Sequence, residues 1–313
     1  MRFTLVVPLA PERQAPIIGD IKKLDYPNDR YHVIVAQGKN PSLNRNKGID
    51  RANGEIVVFL DDDAHIDVNY LRKIDEFFDR HPEIDVVGGP QLTPDEDGGF
   101  ARISGYALSS KFGAWKLAGR YGVMDEKLYA DENDLTSANL ICRKEVVERV
   151  RFDERLFPGE DPKFISDALN SGFRVAYSPE IIVHHQRRPE VGSLVKQIFN
   201  YGLFRPKKES FFETLKKPFF LVPSLFVVYL IGIIGSILND PSITGSVIGL
   251  EFSSVSFFWF LPFLAYVLLA VLFSLYESLR HRDLLAFFVL PFIFLSIHVS
   301  YGVGMLKGYF DRL

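Results

Sequence analysis

Between Phe219 and Leu275 the chain contains no lysine or arginine, and no other feature narrows its possible folds as far. Two near-continuous apolar runs fill most of that stretch, Phe219 to Leu238 and Phe257 to Leu275, and a third extends from Leu284 to about Val303. Each reaches the roughly 20 residues that a helix needs to cross the hydrocarbon core of a bilayer. One such run is compatible with a buried core helix. Three in succession, with almost nothing soluble between them, indicate a transmembrane region. Residues 219–313 are therefore expected to hold about three membrane helices (219–238, 257–275 and 284–303). His298, Gly302 and Gly304 interrupt the third run, which leaves a re-entrant path open.

The charges around these runs predict orientation. Lys207, Lys208, Lys216 and Lys217 precede the first run, Arg280 and Arg282 separate the second from the third, and residues 240–254 carry no basic residue. The positive-inside rule then puts the N-terminal domain on the cytoplasmic face of the cell membrane. On the same rule the 240–254 loop lies outside, and three crossings place Leu313 outside too. Residues 206–218, basic and rich in phenylalanine, have the composition of a linker helix lying among lipid headgroups.

Residues 1–205 are soluble in character. A length of 313 residues favours two structural units. The net charge of −3 gives no basis for nucleic-acid binding, and the single cysteine, Cys142, fits a reducing compartment. Short segments rich in Val, Ile, Phe and Tyr read as buried strands: Phe3–Val7, Tyr31–Ala36, Glu55–Leu60, Ile84–Val87, Ser137–Cys142 and Ile181–His184. Helical patterns lie between them, clearest after Val68, where Leu71, Ile74, Phe77 and Phe78 share a face. Others are read at Lys144–Val150, at Val195–Tyr201 and after Asp161, the last with Asp161 as N-cap and Pro162 at the first helical position. From Gly98 to about Asp134 no clean periodicity is visible. The alternation implies an α/β fold, a mostly parallel sheet with helices on both faces. Ligands collect at the carboxyl ends of such strands.

Three clusters at those positions carry chemistry. The strand Val57–Leu60 ends in Asp61-Asp62-Asp63, and adjacent carboxylates repel unless a cation or strong donors neutralise them. Oxygen ligands of this kind suit Mg2+ or Mn2+, which in turn bind a diphosphate, although acidic turns that merely precede a helix are also common. Phe152-Asp153-Glu154 followed by Glu160-Asp161 places a carboxylate at a helix start, where the dipole favours its charged form, as a general base requires. His184-His185 with Arg187 and Arg188 combines a metal-ligand type with phosphate-binding cations.

These clusters, in this order, resemble the family 2 glycosyltransferases, whose fold is the Rossmann-like GT-A fold, over about residues 3 to 205. Val6-Val7-Pro8 with Glu12 is similar to the family's opening strand and nucleotide-side loop. Asn44-Arg45-Asn46-Lys47-Gly48 with Ala52-Asn53-Gly54-Glu55 resembles the loop and helix before its acidic motif, and Asp61-x-Asp63 matches that motif. Ser178-Pro179 through His185, Tyr201-Gly202, Arg205-Pro206 and His298 through Gly304 resemble the subgroup that builds exopolysaccharides on lipid carriers. The resemblance implies that Asp61 and Asp63 hold the divalent metal on the donor diphosphate, and that Asp61 or Asp62 reaches the ribose. It implies further that Asp161 is the base, that Glu160 is its acceptor-side neighbour and that His185 approaches the metal. Arg187 and Arg188 become counter-charges, and Pro8, Glu12, Gln37 and Arg45 line the nucleotide sugar. The Gln37–Ser42 loop lacks the carboxylate with which the family usually reads uracil, so UDP, GDP and other donors stay open. The Gln-x-x-Arg-Trp hallmark of processive synthases is absent as well.

The expected activity is inverting, metal-dependent transfer from a nucleotide sugar to a lipid-linked glycan. A polyprenyl-phosphate sugar transferase is the nearer alternative, and a catalytically dead membrane-anchored binding protein a more distant one. A nucleotidyltransferase would need a glycine-rich phosphate loop, and Val7–Arg13 has no glycine. A channel or transporter is disfavoured because the first two apolar runs bury no ionisable residue deep in the membrane.

Overall fold

The computed structural model describes residues 1–239 and 254–312. Most of the 240–254 loop expected outside the membrane, and Leu313 itself, therefore fall outside the described residues. The chain divides into two compact units, Met1–Arg187 and Arg188–Leu313.

The first unit is built on nine strands: β1 (Phe3–Leu9), β2 (Tyr31–Gln37), β3 (Ile56–Leu60), β4 (Ala64–Ile66), β5 (Val86–Gly88), β6 (Gln91–Leu92), β7 (Asn139–Arg143), β8 (Val175–Tyr177) and β9 (Val183–His185). Six of them form the main sheet in the order β2-β1-β3-β7-β5-β8. β1 runs parallel to β2 and β3, and β5 parallel to β8, while β7 is antiparallel to both its neighbours. The mostly parallel expectation holds, with β7 as the inserted exception.

Both sheet faces are buried, which explains the continuous apolar strands. Phe3, Leu5, Val7, Ile56, Val58 and Leu60 pack on one side with Leu71, Ile74, Phe77 and Phe78 of the helix Tyr70–Arg80. Val6, Val57, Phe59, Leu140 and Cys142 pack on the other with Val146, Val147, Phe164 and Ile165. The segment without periodicity contains a helix over Gly99–Ser109 and shorter turns beyond it. Its buried Ala101, Ile103, Ala107 and Leu108 are interleaved with buried Ser104 and Gly105, and the small residues mask the helical pattern. A second sheet, β4-β9-β6, pairs β4 antiparallel to β9 and so sets Ala64 opposite His185.

In the second unit the expected interfacial linker is not one helix. The helix Val191–Lys208 continues through Pro206, and a separate helix Phe211–Leu215 starts at a Ser210/Glu213 capping box. Among the described residues, three helices are long and apolar enough to cross a membrane, over Pro218–Leu238, Trp259–His281 and Leu284–Phe310. The third is continuous across His298, Gly302 and Gly304 over its 27 residues, and about 40 Å long at 1.5 Å per residue. It packs along the helix Val191–Lys208 through small residues. A Cβ on Gly304 would stand 2.1 Å from the Phe199 carbonyl oxygen, and one on Gly202 2.2 Å from that of Tyr301. Only glycine allows backbones to approach so closely, as at small-residue helix interfaces in membranes. At the end of this helix Arg312 donates to the carbonyls of Pro206 (2.6 Å) and Glu209 (3.0 Å), and the Tyr309 hydroxyl donates to Thr214 Oγ1 at 2.9 Å. The C-terminal end thus lies against the segment that precedes the first apolar helix.

Candidate active site

β3 is wholly buried and delivers Asp61, Asp62 and Asp63 at its carboxyl end. The chain then turns into β4, whose pairing with β9 carries His185 to the acidic turn. His185 Nε2 lies 3.1 Å from Asp63 Oδ1 and 3.7 Å from Asp61 Oδ2. One ligand atom from each of the three residues falls within 4.8 Å of the others. Two carboxylate oxygens and an imidazole nitrogen at that spacing fit Mg2+ or Mn2+.

The remaining carboxylate oxygens are held by arginines. Asp61 Oδ1 accepts from Arg45 Nη2 at 2.9 Å, and Asp63 Oδ2 accepts from Arg13 Nη2 at 2.6 Å. Burial opposes ionisation of both aspartates, but His185 with Arg45 holds Asp61, and His185 with Arg13 holds Asp63, below the usual carboxylate range. Burial lowers His185 in turn, yet the two carboxylates outweigh it and raise the imidazole to about 9. Asp62 is not one of the three converging residues, and its Oδ1 lies 3.1 Å from the same Arg13 nitrogen. Burial, with its two acidic neighbours, pushes it up to about 6 against the pull of Arg13.

Arg45 comes from the helix Pro41–Asp50, capped by Asn40. Its guanidinium is almost fully buried and also donates from Nη1 to Glu160 Oε1 at 3.1 Å, over the ring of Phe152. It therefore ties the end of β3 to the start of the helix Glu160–Asn170. That helix begins at Glu160 after Gly159, which adopts a left-handed φ of 118°, so Asp161 is its second residue and not the N-cap expected from sequence. Glu160 is buried beside Asp161. Burial and that neighbour outweigh Arg45 and push Glu160 up to about 8. One guanidinium faces Asp61, Glu160 and Asp161, so a retained proton on Glu160 relieves the excess negative charge. Asp161 Oδ1 is buried and accepts no hydrogen bond.

The same helix supports the segment before Glu160. Asn46 Nδ2 donates to the Phe152 carbonyl and to Glu154 Oε1, both at 2.9 Å, while its Oδ1 accepts from the Phe152 N–H at 3.0 Å. Asn40 Nδ2 donates to the Glu154 carbonyl at 2.7 Å. Beneath, Phe152 and Phe164 stack with centroids 4.4 Å apart, and Phe59 meets Phe152 edge-on. Asp153 is occupied with Arg155, whose side chain holds it down at about 2. Sequence reading passed over Asn46 and Arg13. The signal for Asn46 was a helix whose buried face is polar, with Ser42, Asn44, Arg45 and Asn46 all enclosed.

The structure thus gathers Asp61, Asp62, Asp63, His185, Arg45, Glu160 and Asp161 at one edge of the sheet. Pro8 is buried in β1 beside Ala36, Glu12 is exposed on the turn after β1, and Gln37 is exposed at the end of β2, with its Nε2 donating to the Pro11 carbonyl at 3.0 Å. Arg187 is not free for phosphates as expected. It is buried over Tyr121, with its guanidinium on the Gln91 carbonyl and Thr93 Oγ1. Arg188 is exposed.

Residues 15–151 match the sequence profile of Glycosyl transferase family 2. The chain is 24% identical over 215 residues to the minor teichoic acid biosynthesis protein GgaB of Bacillus subtilis, a match covering 66% of this chain and 22% of that protein. It is 26% identical over 176 residues to glycosyltransferase AglE of Haloferax volcanii, covering 56% of this chain and 53% of that one. The chain thus spans about half or less of the length of these curated relatives. Among solved structures, the mannosyltransferase PcManGT from Pyrobaculum calidifontis, in complex with GDP-Man and Mn2+, is similar in fold. Its TM-score is 0.58 at 15% identity, over 100% of this chain and 88% of that one. With an acidic turn at the end of β3 and a parallel-rich sheet of this order, the chain carries a family 2 glycosyltransferase domain over residues 15–151 and has the GT-A fold.

Proposed function

We propose that the protein is an inverting, metal-dependent glycosyltransferase that moves a sugar from a nucleotide-sugar donor to a hydroxyl of a lipid-linked glycan at the cytoplasmic membrane face. The convergence of Asp61, Asp63 and His185 within 4.8 Å carries this reading. A divalent cation held there would neutralise the diphosphate and stabilise it as a leaving group. Mn2+ and GDP-Man in the mannosyltransferase of similar fold support this choice of cation and donor class.

The protein's own groups do the rest. Glu12, on the turn after β1, and Gln37, at the end of β2, would border the nucleotide above the buried Pro8, and Asp62, which is not one of the three cation ligands, is left for the ribose. Asp161 is the base. The acceptor oxygen bonds to the anomeric carbon as the bond from that carbon to the diphosphate oxygen breaks, and the hydroxyl proton passes to Asp161 Oδ1, which has no competing donor. Arg45 holds the Glu160–Asp161 turn to the Asp61 side, so donor and acceptor halves share one fixed cation. That vacant base favours a sugar hydroxyl over a polyprenyl phosphate, which needs no proton removed.

Three apolar helices, with Lys207, Lys208, Lys216 and Lys217 before the first and Arg280 and Arg282 between the second and third, support multi-pass anchoring among membrane lipids with these residues cytoplasmic. The test is nucleoside diphosphate release by the detergent-solubilised protein, screened over nucleotide sugars with a lipid-linked acceptor. Release should require divalent cation, and undiminished turnover in excess chelator would refute the reading.

A further inference from the structure

The two aspartates of the cation site are neutralised in different ways. Asp61 leans on Arg45, a buried arginine fixed on a second side by Glu160. Asp63 leans on Arg13, whose side chain is half exposed on the turn after β1. From there Arg13 Nη2 reaches Asp63 Oδ2 at 2.6 Å and Asp62 Oδ1 at 3.1 Å. Arg45 is itself enclosed, with 4% of its side chain exposed, and has no solvent to move into. Arg13 is half exposed and can swing away into solvent.

Arg13 is also placed where a donor arrives, beyond the carboxyl end of β1, next to β3. A divalent cation on Asp63 repels a guanidinium 2.6 Å from the same carboxylate, and a diphosphate offers that guanidinium a bidentate partner of higher charge. We propose that Arg13 is a diphosphate-binding residue that rests on Asp62 and Asp63 while the site is empty of cation and donor, and transfers to the phosphate oxygens when both bind. Cation and nucleoside diphosphate are thereby made to bind cooperatively. A cation alone must displace Arg13 to solvent, and a diphosphate alone meets an acidic turn. Together they exchange one ion pair for another. This rests on the reading of Asp61, Asp63 and His185 as the cation site.

The experiment measures Mn2+ affinity of the full-length protein in detergent by the loss of the free-ion electron paramagnetic resonance signal, with no nucleotide, with UDP and with GDP. For the wild type, one nucleotide should tighten Mn2+ binding about tenfold or more, within the usual range of coupling between sites. Arg13→Ala should bind Mn2+ alone several-fold more tightly, because a competing charge is gone, and should lose most of the nucleotide enhancement. Arg13→Lys, a point charge without the planar fork, should fall between. If Arg13→Ala matches wild type in both affinities, or weakens Mn2+ binding without nucleotide, the role of Arg13 is overturned while the cation site stands. If the wild type binds no Mn2+ under any of the three conditions, the cation site itself fails and Arg13 with it.

Discussion

Replacing Arg45 by methionine tests the central electrostatic claim. The guanidinium is 3% exposed and is bonded to Asp61 at 2.9 Å and Glu160 at 3.1 Å. Methionine fills similar volume without charge, so the loss is electrostatic and not a cavity. Removing one partner of a buried ion pair costs about 3–5 kcal/mol, because the remaining charge stays buried and uncompensated. In a unit of this size that corresponds to a fall of roughly 6–20 °C in melting temperature. The loss should depend on pH. Without Arg45, Glu160 is raised further above its unfolded value, so folding is favoured while it holds its proton and weakens as pH rises through the folded value. In the wild type Arg45 opposes the burial that raises Glu160 to about 8. The gap between mutant and wild type should therefore widen from pH 5 to pH 9. Adding Glu160→Gln removes one stranded carboxyl and should recover a substantial part of the loss. The assay is thermal unfolding of the solubilised full-length protein, followed by intrinsic fluorescence at several pH values. A mutant melting within a degree or two of wild type at pH 8, or a deficit equal at pH 5 and pH 9, would refute the argument.

Other expectations follow from the same geometry. Asp161→Asn should lower turnover about a hundred- to ten-thousand-fold while nucleoside diphosphate affinity hardly changes; near-normal turnover with a glycan acceptor would point instead to a lipid-phosphate acceptor. Because His185 is raised to about 9 before any cation binds, a cation must displace its proton at lower pH. Apparent Mn2+ affinity should rise on the order of tenfold per pH unit up to about pH 9 and then level off, with proton release measurable by calorimetry in buffers of different ionisation enthalpy. Gly304→Val puts side-chain carbon where a Cβ already stands 2.1 Å from the Phe199 carbonyl oxygen; it should free the helix Val191–Lys208 to protease, and an unchanged digestion pattern would count against the seam.

Much of this was legible in the chain, for identifiable reasons. The strands announce themselves because burial on both faces demands unbroken Val, Ile and Phe, and the apolar helices because lipid demands length. Asp61 and Asp63 stand out because three carboxylates closing a buried strand are conspicuous. The reversed direction of β7 was not legible, since a strand buried on both faces looks the same either way. The bridge made by Arg45 was hidden because its partners lie 16 and 115 residues away. Asp161 was placed at the N-cap, two positions before its actual place in the helix, because Pro162 imitates a first-position proline, whereas Gly159 supplies the actual break. Arg187 looked like a phosphate ligand from its neighbours alone; only the fold shows the Gln91 carbonyl and Thr93 waiting for it.

The glycine seam also sets an order of events in biosynthesis. Gly202 meets Tyr301 and Met305, and Gly304 meets Phe199, so the two sides of the seam are separated by most of the second unit. At about 5–20 residues per second, the ribosome needs on the order of 5–20 s to make the hundred or so residues between them. During that interval the first unit can complete its sheet, since every strand of it precedes the seam. The helix Val191–Lys208, by contrast, presents an unpartnered stripe of small residues. Its docking must be late and nonlocal, and it depends on insertion of the last apolar helix. A chain halted before Leu284 would thus carry a finished catalytic sheet on an unfinished membrane anchor, a state that quality-control proteases are placed to detect.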